Sequence, residues 1–177
     1  MKIVVLLLAH AILYGADRPA PPHVRNFGEI NQHLYRGAAP SPVALQELRA
    51  LGVKVIVDLR LAGEGPEAES LAVRNLGMKY VNVPLAAWSA PTRAQLEQLL
   101  PVLFHSDSEP VFIHCRRGKD RTGTVLACYR IQHDNWNNRQ ALEEAKAYGM
   151  SRLERRMQDY VLHFTAMILP ELRPVGQ

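Results

Sequence analysis

Val111-Phe112-Ile113-His114-Cys115-Arg116-Arg117-Gly118-Lys119-Asp120-Arg121-Thr122-Gly123 passes from a short apolar run into a cationic loop and then into the apolar stretch Thr124 to Ile131. The first four residues follow Pro110 and read as a buried strand, and the stretch after Gly123 reads as a helix. A strand, a tight loop and a helix start form an anion site on elementary grounds, because loop N–H groups converge and the helix dipole favours negative charge. Gly118 and Gly123 supply the backbone freedom that close approach to an oxyanion demands.

Working outward, Val53 to Leu59 is β-branched and apolar and Met78 to Val83 alternates, so both read as strands; Leu34-Tyr35-Arg36 reads as a short edge strand. Ser41-Pro42 caps a helix that Gly52 stops near Leu51. Glu67 to Leu76 is helical in composition and ends at Gly77. Thr92 with Gln95 forms a capping box for a helix to about Leu103, with Pro101 bending or ending its last turn. Asn137 with Gln140, and Ser151 with Glu154, repeat the box before two later helices. In Arg152-Leu153-Glu154-Arg155-Arg156 the charges read as a solvated helix face, with Leu153 and Met157 turned inward. Strands and helices in this order predict an α/β domain, a central, mostly parallel β-sheet flanked by helices.

At 177 residues the chain has room for one domain, and 47% hydrophobic with 21% charged residues excludes a disordered or coiled-coil chain. Two cysteines exclude a disulfide scaffold or a multi-cysteine zinc module. A net charge of +4 suits an anionic substrate and is too small to argue for nucleic acid. Residues 1–16 are a short positive start, an apolar run and small residues, the layout of a signal peptide, and the run is too short for a membrane span. Residues 17–23 are a Pro-rich linker, the domain runs over 24–170, and 171–177 form a fraying tail.

Cys115 opens the loop, where a helix N-terminus and nearby cations favour the thiolate, the nucleophilic form. Arg121 lies where the loop curls back, and its fork can hold two phosphate oxygens and balance developing charge. Thr122 is placed to donate a hydrogen bond to Cys115, Arg116 and Lys119 add charge at the rim with Arg117, and His114 is expected to bond loop backbone. Cys128, amid apolar neighbours, reads as core; seven helical residues past Arg121 span ~10 Å, beyond the roughly 7 Å limit for bridged Cα atoms, so no disulfide to Cys115 is expected. Arg36 and Arg60 end predicted strands, where α/β sites gather, and are candidates to bind a second phosphate or orient the loop; the plainer reading of each is a surface arginine.

His114-Cys115-x-x-Gly118-Lys119-Asp120-Arg121-Thr122-Gly123 resembles the signature loop of the cysteine-dependent protein tyrosine and dual-specificity phosphatases. Leu34 to Ser41 is similar to the Tyr-Arg-Ser-x-Gln-Pro-Ser opening of small atypical members, with Gly37 and Ala39 replacing Ser and Gln. Val53 to Arg60 resembles the strand that follows, with Asp58 at its Asn position. The resemblance covers roughly residues 30–165. It implies a dual-specificity-type fold and a two-step reaction in which Cys115 accepts the phosphoryl group and water releases it, with no metal and no cofactor. An exported bacterial member would be similar to periplasmic enzymes of this group, with the cytoplasm as the alternative. The six other histidines show no zinc-ligand spacing, in keeping with that expectation.

One departure stands out. The family takes its general acid from an Asp after the second strand, and here Pro84-Leu85-Ala86-Ala87-Trp88-Ser89-Ala90-Pro91 has no carboxylate. Asp120 is one replacement, since some related lipid phosphatases are thought to use an Asp at that place; otherwise it pairs with Lys119 or Arg60. Asp58, Glu64 or Glu67 is another, and reliance on water or good leaving groups a third. Trp88 reads equally as a cleft wall or an edge aromatic. The expected substrate is a phosphorylated protein or, using Arg116 and Lys119, a small polyanion such as an inositol phosphate. An inactive phosphate-binding module is the reading of another class, and sulfur transfer is disfavoured by the arginine spacing and Thr122.

Overall fold

Residues 22–169 are described in the computed structural model; the expectations for 1–16, most of the linker and 171–177 lie outside them. The elements run β1 (Gly28–Asn31), β2 (Leu34–Ala38), α1 (Pro42–Ala50), β3 (Val55–Asp58), α2 (Pro66–Asn75), β4 (Lys79–Asn82), α3 (Arg93–Phe104), β5 (Val111–Cys115), α4 (Asp120–Gln132), α5 (Asn138–Ala147) and α6 (Arg155–His163). The sheet order is β1-β2-β5-β3-β4, with β1 antiparallel to β2 and the other pairings parallel. The expected α/β class is therefore found. Leu34 to Ala38 is not an edge strand: it lies between β5 and β1, a strand whose Gly-Glu-Ile-Asn sequence carries no periodic pattern.

Local chemistry explains the helix ends. The Ser41 side chain accepts from the Ala44 N–H with Pro42 just inside α1, and Gly52 turns the chain at φ +99°. Thr92 and Gln95 make the full reciprocal box of α3, which holds Pro101 within it and ends at Phe104. Asn137 caps α5. The Ser151–Glu154 box does not form. Ser151 Oγ accepts from Leu153 N, α6 begins only at Arg155, and Glu154 is its N-cap residue with no side-chain capping bond.

Side-chain alternation along β5 sorts the site. Val111, Ile113 and Cys115 join one apolar core with Leu96, Leu99 and Leu100 of α3 and Val125, Leu126 and Tyr129 of α4. Phe112 faces the other way, into a core with Leu45 and Leu48 of α1 and Val73 of α2, and His114 stacks on it. α4 is buried from Asp120 to Tyr129, in keeping with the apolar run from Val125 to Tyr129 that shows no polar face.

Candidate active site

The loop after β5 lies at the carboxyl ends of the parallel strands, the usual place for an α/β site. Its shape is set from behind. Gly118 takes φ +65°, and a Cβ there would lie 2.3 Å from the Gly37 backbone, so both conformation and space demand glycine. The Gly118 carbonyl accepts from Arg36 at 2.6 Å and from Asn26 at 2.7 Å. In a trans peptide the N–H opposes the C=O, so anchoring this carbonyl turns the Lys119 N–H away from Arg36. Among the described residues, no backbone carbonyl accepts from the N–H groups of Arg116 to Arg121. Gly123 serves another purpose than expected: it sits within α4, and a Cβ would press on Ala145 at 3.2 Å and Met150 at 3.3 Å. It lets α4 and α5 approach.

Cys115 and Arg121 line one cleft together with Asp120, Arg117, Glu154 and Trp88. Trp88 is thus a cleft wall, exposed and at φ +65°. The Arg121 guanidinium donates to Glu64 at 2.7 and 3.2 Å and to the carbonyls of Leu59 and Leu85 at 3.3 Å. Burial works against its charge, but Glu64 and Cys115 outweigh this and raise its pKa above the usual value. The Arg121 bonds in turn hold the Glu64 carboxyl below its ordinary range. Glu67 is exposed on the first turn of α2, outside the cleft lining.

Both second-rank arginines are buried, against the surface reading. Arg36 is 0% exposed, its guanidinium carbon lies 3.9 Å from the Tyr148 ring centre, and burial pulls its pKa down to about 10. It remains a cation behind the loop. Arg60 donates to both Asp58 oxygens and at 2.7 Å to Glu69, and it also binds the Glu64 carbonyl. With two carboxylates on it, Arg60 holds the segment before α2 and does not offer itself to a second phosphate. Asp58 feels burial first, which favours its neutral form, yet the bonds from Arg60 and Tyr80 prevail and its pKa is lowered.

His114 does not bond loop backbone: its Nε2 lies 2.7 Å from the Glu69 carboxylate. Asp58, Glu69 and His114 bring donor atoms within 4.8 Å of one another, and Arg60 bonds both carboxylates, offsetting one of their two charges. Thr122 Oγ1 is buried with no hydrogen-bond partner, so the expected bond to Cys115 is not formed. Asp120 pairs with neither Lys119 nor Arg60; it accepts from the Ser151 N–H at 2.7 Å, and Arg117 lies at 3.9 Å. Arg116, Arg117 and Lys119 are exposed. Cys128 is fully buried among apolar groups, which push its thiol pKa up, and both cysteines are free.

Sequence reading missed Glu69 and Glu154. Glu69 lies on α2, 46 residues before the nucleophile candidate in the chain (115 minus 69), and only the sheet brings them near. Glu154 was assigned to a solvated face; it is 4% exposed while Leu153 is 73% exposed, the reverse of the expected orientation, because α6 starts three residues later than a Ser151 cap would start it.

This fold with this loop defines a cysteine-based phosphatase of the protein-tyrosine-phosphatase type. The chain belongs to the family described as "DSP-PTPase phosphatase fused to NAD+ Kinase", which matches residues 25–162. It is 30% identical over 173 residues to a Yarrowia lipolytica protein named "Putative tyrosine-protein phosphatase OCA1", an alignment that takes in 87% of this chain and 66% of that relative. Among solved structures it is similar to TpbA of P. aeruginosa, with 26% identity, a TM-score of 0.67, and coverage of 77% of this chain and 83% of the other. It is also similar to the catalytic domain of the S. cerevisiae PP-IP phosphatase SIW14, with 25% identity, a TM-score of 0.69, and coverage of 82% and 88%.

Proposed function

We propose that the protein hydrolyses phosphate monoesters on tyrosine, and on serine or threonine, of phosphorylated proteins through a phosphocysteine. The observation that carries this is the meeting of Cys115 and Arg121 in one cleft, under a loop whose N–H groups have no backbone acceptor. The substrate's phosphoryl oxygens take those N–H groups and the Arg121 fork. The Cys115 thiolate attacks phosphorus as the ester oxygen leaves with a proton from a cleft carboxyl, for which Asp120 is the candidate nominated by the sequence. Water then attacks phosphorus and the sulfur departs. Arg36 supports the arrangement as a buried cation behind the loop.

A second reading is supported by the three exposed cations Arg116, Arg117 and Lys119 on the loop, and by the likeness to SIW14, a PP-IP phosphatase. Such a rim suits an inositol polyphosphate, whose flanking phosphates it would bind. A panel of phosphotyrosyl and phosphoseryl peptides, inositol polyphosphates and a small aryl phosphate separates the readings. Turnover of the phosphotyrosyl peptide is expected; hydrolysis of inositol polyphosphates alone overturns the protein-phosphatase reading, and no turnover of any ester makes this a phosphate-binding module. The residue 1–16 pattern supports export to a bacterial periplasm, checked by fractionating cells that express the full chain.

A further inference from the structure

The family's usual acid loop has no carboxylate here, yet the cleft contains two, Asp120 and Glu154, and they differ in kind. Asp120 stands on the first turn of α4, where the helix dipole favours its charge, and accepts a backbone hydrogen bond from Ser151. That bond fixes the turn from Ser151 to Glu154 against the loop. Glu154 then points its side chain inward from the end of the turn. It is 4% exposed, and its Oε2 is buried with no hydrogen-bond partner among the described residues. A carboxylate in such a place is costly, whereas a neutral carboxylic acid is much less so.

We propose that Glu154 is the general acid of this site, a role that rests on the phosphatase reading. As the Cys115 sulfur–phosphorus bond forms and the phosphorus–oxygen bond of the ester breaks, the Glu154 carboxyl gives its proton to the departing oxygen. The resulting carboxylate then takes a proton from the attacking water as the new phosphorus–oxygen bond forms and the sulfur leaves as thiolate. Protons and charge balance over the two steps, and Glu154 ends protonated. Asp120, bonded to the Ser151 N–H, keeps the turn that carries Glu154 in place.

The electrostatics agree. Burial raises the Glu154 pKa above the usual carboxyl range, the charge of Asp120 raises it further, and Arg117 and Arg121 oppose both. A carboxyl whose surroundings favour its neutral form is suited to give up a proton. The other groups about Glu154 are Cys115 on β5 and the exposed Arg155 and Arg156 that follow it on α6; the wall from Ala87 to Trp88 has nothing that titrates.

The test is Glu154→Gln, assayed on phenyl phosphate, whose leaving group needs a proton, and on 2,4-dinitrophenyl phosphate, whose leaving group does not. Expected is a loss of ~100-fold on the first and under about threefold on the second, with the alkaline fall of kcat on phenyl phosphate abolished. Inorganic phosphate should still raise the melting temperature. If the glutamine variant does not fold, Glu154→Met takes its place; it removes an unpartnered buried carboxyl and should be at least as stable as wild type. Equal losses on the two esters, no loss on either, or the selective loss appearing in Asp120→Asn instead overturns the proposal. Failure of the wild type on both esters would overturn the phosphatase reading itself, a distinct result.

Discussion

Arg36 shows how much of a site can lie behind it. Its guanidinium is buried, pairs with no carboxylate among the described residues, and leaves two nitrogens unbonded there, all unfavourable to folding. What it provides is an anchor for the Gly118 carbonyl and a positive charge behind the loop. Arg36→Met should therefore lower turnover of an activated aryl phosphate by up to ~100-fold, since a small displacement of catalytic groups has that effect. The melting temperature should change little, because a costly buried charge leaves with the anchor. Unchanged turnover would show that the loop holds its shape without this contact. Cys115, Arg121 and Gly118 were legible in the sequence because they sit in one short motif whose spacing is itself the signal. Arg36 was legible only as one candidate to orient the loop, and its burial was not, since that follows from β2 lying inside the sheet. Glu154 was hidden for a different reason, as a box-like Ser151–Glu154 pair concealed a later helix start.

At the scale of elements, the loop depends on a polar cluster joining β3, α2, β4 and β5. Asp58 and Tyr80 come from neighbouring parallel strands, Glu69 from α2 and His114 from β5, with Arg60 between them. Asp58 titrates lower folded than unfolded, where it has about its free value of ~3.9. Its contribution is thus complete above that value and is lost as pH falls through the folded pKa, because the unfolded chain binds the proton first. The melting temperature should be level with respect to this group above about pH 5 and fall in more acidic solution. Asp58→Asn should cost ~3 kcal/mol at neutral pH, in the range for breaking a buried pair, and flatten the acid fall. A variant with the wild type's acid limb would remove Asp58 from the account. Helices were well legible here, through Ser41, Thr92, Asn137 and the stops at Gly52 and Gly77, because caps are local chemistry. β1 was not, as its pairing with β2 lends it the order its own sequence lacks.

Over the whole molecule, period-two alternation in β5 divides the work: Cys115 faces the α3–α4 side, His114 the α1–α2 side, and the loop joins them at the strand ends. The fold class was readable from the order of strands and helices, and the cleft was half readable, its floor from the motif but its walls from elements distant in sequence. The most direct test is turnover of phenyl phosphate by Cys115→Ser, measured beside the rise in melting temperature that inorganic phosphate produces. A variant with no detectable turnover that still gains stability from phosphate is the expected result, since the loop amides and Arg121 remain while the sulfur that accepts the phosphoryl group is gone. Turnover close to the wild-type rate would contradict a reaction through Cys115.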